Sequence, residues 1–247
     1  MPDNGVDPSA DDQPAPMDVR AGDVLSVRCE PVDARVSNDS PHYVFVRWPW
    51  GDIDRESRYR WNGDRAFPRR PDHYERDMDL FCLEPDAADL AVGDVCQVGI
   101  PAATVHVLSV EQFDPPQDSG WLPRPTWSLS VMRHGQTFDP DLEDQGCLMY
   151  PGGHEPMELE LLFRPYAFLE IGDEVVDAEG EAWRFEHPWS WHCSSGRSGT
   201  PTWPLTLLAR ASEPVKGNVV VAETLSGSHK AEEARWRDLA GAQPVVP

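Results

Sequence analysis

Twenty-five prolines and eighteen glycines are spread along 247 residues, and they cut the chain into apolar runs too short for long helices. A proline inside a helix removes a hydrogen bond and clashes with the preceding turn, at roughly 3 kcal/mol each. Between the breaks lie short stretches rich in Val, Leu, Phe and Trp, bounded by Gly, Pro, Asn and Asp. That texture predicts an all-β chain.

The breaks also repeat. Val19-Arg20-Ala21-Gly22-Asp23-Val24 returns as Leu90-Ala91-Val92-Gly93-Asp94-Val95 and as Leu169-Glu170-Ile171-Gly172-Asp173-Glu174. In each copy Gly-Asp supplies a tight turn, and the valines that follow enter a strand. A second element follows each copy. Pro125-Thr126-Trp127 and Pro201-Thr202-Trp203 are followed by apolar residues at every second position, and Pro41-His42-Tyr43 keeps the outline. Alternation of this kind places Trp127, Leu129 and Val131, or Trp203, Leu205 and Leu207, on one buried face. Asn62-Gly63 predicts a tight hairpin.

The expected architecture is therefore two or three tandem small SH3-like barrel or sandwich units, over residues 19–89, 90–168 and 169–224. One large β-sandwich holding all these strands is the competing possibility. Residues 1–18, with five aspartates and four prolines, predict a disordered acidic tail. Within 225–247, Ser228 and Gly241 bracket good helix formers and predict a short helix, with Leu225, Trp236 and Leu239 to dock it and a frayed Pro-Val-Val-Pro end.

Composition narrows the function. The formal net charge is −22, which disfavours bulk nucleic-acid binding and suits a basic protein partner. The two lysines, Lys216 and Lys230, leave the first two thirds of the chain without a Walker-type lysine or a Schiff-base lysine. No apolar run reaches membrane-spanning length and the first residues are acidic, so a soluble cytoplasmic protein is expected. The five cysteines are odd in number, with no CxxC pair, which suits a reducing compartment. Cys29 and Cys96 lie in apolar runs and read as buried thiols.

The usual catalytic signatures are missing: no GxSxG, HExxH or GxGxxG motif and no EF-hand loop. His154-Glu155 lacks the second histidine of a zinc protease. Asp139, Asp141, Glu143 and Asp144 match no calcium spacing and read as a solvated loop. His187, His192 and Cys193 are weak candidates for a metal, because alternation turns His192 away from the other two. The ten tryptophans are mostly core fillers, yet Trp48-Pro49-Trp50 and Trp189-Ser190-Trp191 are too closely spaced for all to face inward. Residues 47–70 hold seven arginines against four acids, interleaved with aromatics. Trp48, Trp50, Arg58, Arg60, Trp61, Trp189 and Trp191 accordingly form the expected interaction surface.

These features predict a non-enzymatic adaptor, or an acidic inhibitor or immunity-type protein, that binds a basic partner and needs no cofactor. A small-molecule or carbohydrate-binding protein, or an enzyme, with a pocket between units that uses His154, His187, His192 or Cys193 is the alternative. Local nucleic-acid contact through residues 47–70 is a third.

Overall fold

A computed structural model describes residues 18–70, 79–139, 141, 145–210, 212–220 and 227–244. The expected acidic tail lies outside them except for Asp18, as do Glu143, Asp144, Leu225 and the last three residues. The chain is mostly β, with fifteen strands, one short 3-10 helix and one α-helix among the described residues.

Two long strands organise the first part. β1 (Val24–Asp39) and β6 (Val95–Gln112) run antiparallel and both bend. Register slips between Val27 and Cys29 and between Cys29 and Val32 mark the bend, where a bulge increases the local twist. The backbones meet closely there. A Cβ at Gly99 would sit 2.8 Å from the Cys29 carbonyl oxygen and from Pro31 Cα, so the crossing requires glycine.

On one side of the bend, the early half of β1 lies between β10 (Glu158–Phe163) and the late half of β6, followed by β8 (Trp127–Arg133) and β9 (Cys147–Met149). On the other side, the late half of β1 pairs with β2 (Tyr43–Arg47), and β2 with β4 (Asp64–Pro68). The early half of β6 there pairs with β5 (Cys82–Glu84). One curled eight-stranded sheet results, folded into two lobes.

Each lobe has its own core. Leu25, Val27, Val105, Val107, Leu129 and Val131 fill the first. Val36, Val44, Val46, Trp48, Phe67 and Val98 fill the second. Trp50 and Phe81 pack against both. Segments 19–89 and 90–168, expected as successive units, thus interleave, each giving strands to both lobes. Strand pairing follows the two long strands, which the breaks in the sequence do not reveal.

Residues 174–220 make a separate five-stranded sheet in the order β13-β12-β11-β14-β15. Its strands are β11 (Glu174–Val176), β12 (Ala182–His187), β13 (Ser190–Cys193), β14 (Thr206–Arg210) and β15 (Glu213–Val220). Val175, Trp183, Phe185, Leu205 and Leu207 are its core. Helix α1 (His229–Ala240) starts on Ser228, whose Oγ accepts from Ala231 N at 3.2 Å, and stops at Gly241 with φ 65°. Trp236 docks it on Val24 and Phe163, and Leu239 packs against the same cluster. The Trp236 indole N–H donates to the Gly22 carbonyl at 2.8 Å.

The three Gly-Asp turns adopt one geometry. In each, the Asp carboxylate accepts from the backbone N–H three residues earlier: Arg20 to Asp23 at 2.9 Å, Ala91 to Asp94 at 2.8 Å and Glu170 to Asp173 at 3.0 Å. In each, the glycine N–H reaches a neighbouring strand (Val107, Val36 or Phe185), and that same residue donates back to the Asp carbonyl. The glycines sit at φ 86°, 92° and 93°, which side chains resist. Asn62-Gly63 does not close a two-residue hairpin. β2 and β4 are instead joined by the excursion 48–63, in which β3 (Asp52–Ile53) pairs with β7 (Trp121–Leu122).

Candidate functional site: an aromatic pocket between the lobes

A cavity of ≈ 190 Å³ lies over the bend of the long strands, with Ile100 at its base. One wall comes from the excursion and β4, through Trp48, Trp61 and Arg65. Another comes from β9 and the loop after it, through Leu148, Tyr150, His154 and Glu155, while Trp121 on β7 closes a third side. The loop 150–157 carries the chain from edge strand β9 to edge strand β10. It places His154 and Glu155 between Gly152-Gly153 and Pro156, and Gly51 passes so near the His154 ring that a Cβ there would lie 2.7 Å from it.

The aromatic rings stack edge to face. Trp121 meets Trp61 at 5.9 Å, Tyr150 at 5.9 Å and the His154 ring at 5.6 Å between centroids. Trp48 meets Trp50 and Phe81, each at 4.9 Å. Such geometry aims ring edges at neighbouring faces and fixes each ring's orientation.

Two charged pairs line the cavity. Arg65 lies over Trp48 and Phe81, 4.6 and 4.7 Å from their centroids, and donates through Nη2 to both Asp79 oxygens at 2.9 Å. Arg65 and Asp79 thus cancel each other. Glu155 Oε1 faces His154 Nε2 at 3.0 Å and accepts from the Trp48 indole N–H at 3.3 Å. The His154 and Glu155 side chains are only 5% and 9% exposed. Glu155 Oε2 and His154 Nδ1 are buried without a hydrogen-bond partner. The Glu155 carboxylate is thus held inside the cavity wall by the imidazole and the indole. Burial also pushes the Tyr150 hydroxyl upward, so it stays protonated. Exposed Ile53, Tyr59 and Leu148 lie on the elements that carry these walls.

The site residues expected from sequence are scattered differently. Trp48 and Trp61 line the pocket, and Trp50 backs it. None of the ten tryptophans is exposed, Trp48 being 5% accessible and Trp50, Trp61, Trp189 and Trp191 half-buried. The exposure expected from their spacing fails because the Trp48-Pro49-Trp50 segment is not a strand, so period-2 alternation does not constrain it. Arg58 pairs loosely with Asp118 at 3.5 Å, and Arg60 forms no ion pair among the described residues. Arg47 and Arg69 are tied to Asp64 and Asp39, which absorbs part of the basic window.

His187 to Cys193 is a hairpin, not one strand, because Pro188 and Trp189 form its turn. Trp189 and Trp191 pack on Tyr166 at 5.5 and 5.6 Å. His192 is exposed and Cys193 buried, its Sγ 3.2 Å from Ser195 Oγ. Among the described residues no three His, Cys, Asp or Glu side chains gather as a metal site. Nor is any described helix long and apolar enough to cross a membrane.

Sequence reasoning passed over Tyr150 and Asp79 and counted Trp121 only among the tryptophans, and it weighed His154-Glu155 as half of a zinc motif and His154 as one candidate for a pocket between units. The available signal was the setting of that pair, two titratable residues between a Gly-Gly and a proline, hence on a sharply turned loop. The chain matches no protein-family model, no curated protein and no solved structure.

Proposed function

We propose that this chain is a non-enzymatic interaction module that receives a cationic group of a basic protein partner in the aromatic pocket between its lobes. The pocket itself carries the reading. Aromatic faces attract cations, and a buried carboxylate beside them adds an attraction that water screens poorly. The net charge of −22 speeds encounter with a basic surface. An inhibitor or immunity-type protein is one form such a module takes.

A second reading, a small-molecule binder, draws on the cavity volume, which holds a compact ligand without any protein attached. Both readings predict a change in tryptophan fluorescence on binding, since Trp48, Trp61 and Trp121 line the wall. Titration with an arginine- and lysine-rich peptide should perturb the emission, and an acidic peptide of equal length should not. Raising the salt should weaken the effect, because screening shortens to about 3 Å at 1 M. No response to the basic peptide, or tighter binding at high salt, removes the first reading. A saturable response to neutral sugars alone favours the second.

A further inference from the structure

The pocket combines aromatic walls and a buried carboxylate with few accessible hydrogen-bond acceptors. We propose that its ligand is a fully methylated ammonium, borne on a lysine side chain of the partner. This inference rests on the cation-binding reading above and narrows it.

Most side-chain acceptors near the cavity are committed or sealed from solvent, which leaves the Tyr150 hydroxyl as the accessible one. Asp79 Oδ1 takes N–H bonds from Arg65 and from the Phe81 backbone, and Oδ2 takes Arg65. Glu155 Oε1 serves Trp48 and His154, and Oε2 is sealed from solvent. An unmodified lysine ammonium arrives with three N–H donors and a guanidinium with five. Here most of those donors would lose water and find nothing in exchange.

A quaternary ammonium brings the same charge with no donor to satisfy. Its methyl groups meet the apolar rings, and its diffuse charge meets their negative faces. Arg65 covers one face of Trp48 and of Phe81, but among the described residues no cation stacks on Trp61, Trp121 or Tyr150. Those three rings line the cavity. Glu155 acts through its field, without contact, because the surrounding rings exclude the water that would screen it. The other titratable side chains lining the cavity are Arg65 with Asp79, which cancel, Cys147, and the protonated Tyr150.

Calorimetric titration of the full chain tests this with four small probes: tetramethylammonium, methylammonium, guanidinium and neutral tert-butanol. Two lysine-rich peptides of one sequence are added, with the central lysine trimethylated or unmodified. Tetramethylammonium should bind at least tenfold tighter than the other three small probes. The trimethylated peptide should exceed both its unmodified twin and free tetramethylammonium by a similar factor. Trp61→Ala should abolish the preference with the circular dichroism spectrum retained. Glu155→Gln should bring tetramethylammonium down towards the neutral probe.

If methylammonium or guanidinium binds as tightly as tetramethylammonium, the methylation inference falls and the cation pocket stands. Equal binding of tert-butanol removes any role for charge, and both readings fall. Absence of saturable binding by every cation and both peptides likewise removes both. A trimethylated peptide no better than free tetramethylammonium overturns the lysine source. The probe comparisons use the unaltered protein, so they decide the matter even if a variant fails to fold.

Discussion

His106 is 1% exposed under Trp236, with ring centroids 5.0 Å apart and neither imidazole nitrogen hydrogen-bonded. Burial alone pushes its pKa from 6.5 down to about 4. The folded chain therefore holds the neutral ring, whereas the unfolded chain takes up a proton below about pH 6.5. Its contribution is complete above that value and is lost as pH falls towards 4, where both states are protonated. A shift of this size corresponds to about 3 kcal/mol. His187 and His229 are lowered in the same direction by burial. Urea unfolding should thus show stability falling between pH 6.5 and 4, with a shallower fall in His106→Leu. An unchanged slope in the variant would mean that the ring is hydrated in solution. Nothing in the sequence marks His106, because Val105, His106 and Val107 are all buried. β6 is covered on one face by the first core and on the other by α1, and that double burial erases the alternation that a one-sided strand shows.

The Gly-Asp turns were the most legible elements. Their recurrence in sequence corresponds to one hydrogen-bond pattern repeated three times, because an Asx-closed turn is specified within four residues. Helix α1 was legible for the same local reason, through its Ser228 and Gly241 ends. What lies around each turn was not legible. Asp23 is fully buried and held by Arg164 at 2.8 and 3.0 Å, and Asp173 is fully buried and held by Arg210 at 3.1 Å, whereas Asp94 is exposed. Removing Asp23 strands the mostly buried Arg164 guanidinium. Asp23→Ala should cost about 3 kcal/mol, Asp173→Ala about 2 kcal/mol because Arg210 is half-exposed and keeps Glu170, and Asp94→Ala about 1 kcal/mol, the worth of its turn bond. Chemical denaturation of the three variants gives the ranking, and equal losses would show that the arginine partners contribute little.

At the scale of the whole molecule, alternation tells which segments are strands but says nothing about their partners. The 16-residue β1 and the 18-residue β6 each serve two lobes, so a boundary drawn at residue 89 cuts both cores. Fragments 19–89 and 90–168 should each lack dispersed amide NMR signals when made alone, since β1 then loses β6 and β10. A folded spectrum from either fragment would show that a lobe can form without the other segment. The pocket was hidden for the same reason: Trp48, Trp121 and Glu155 meet only once the bent strands bring three distant loops together.

The Gly22-Asp23 turn also fixes an order of events during synthesis. Its carboxylate waits for Arg164, 141 residues later, and its Gly22 carbonyl waits for Trp236, 214 residues later. At bacterial-to-eukaryotic elongation speeds of about 5–20 residues per second, that interval lasts roughly 10–40 s. Until Trp236 arrives the nascent chain lacks the cover of Val24, which in the finished protein is fully buried. The first strand made is among the last to be sealed, so the emerging polypeptide, more than the mature one, is the form most exposed to misassembly.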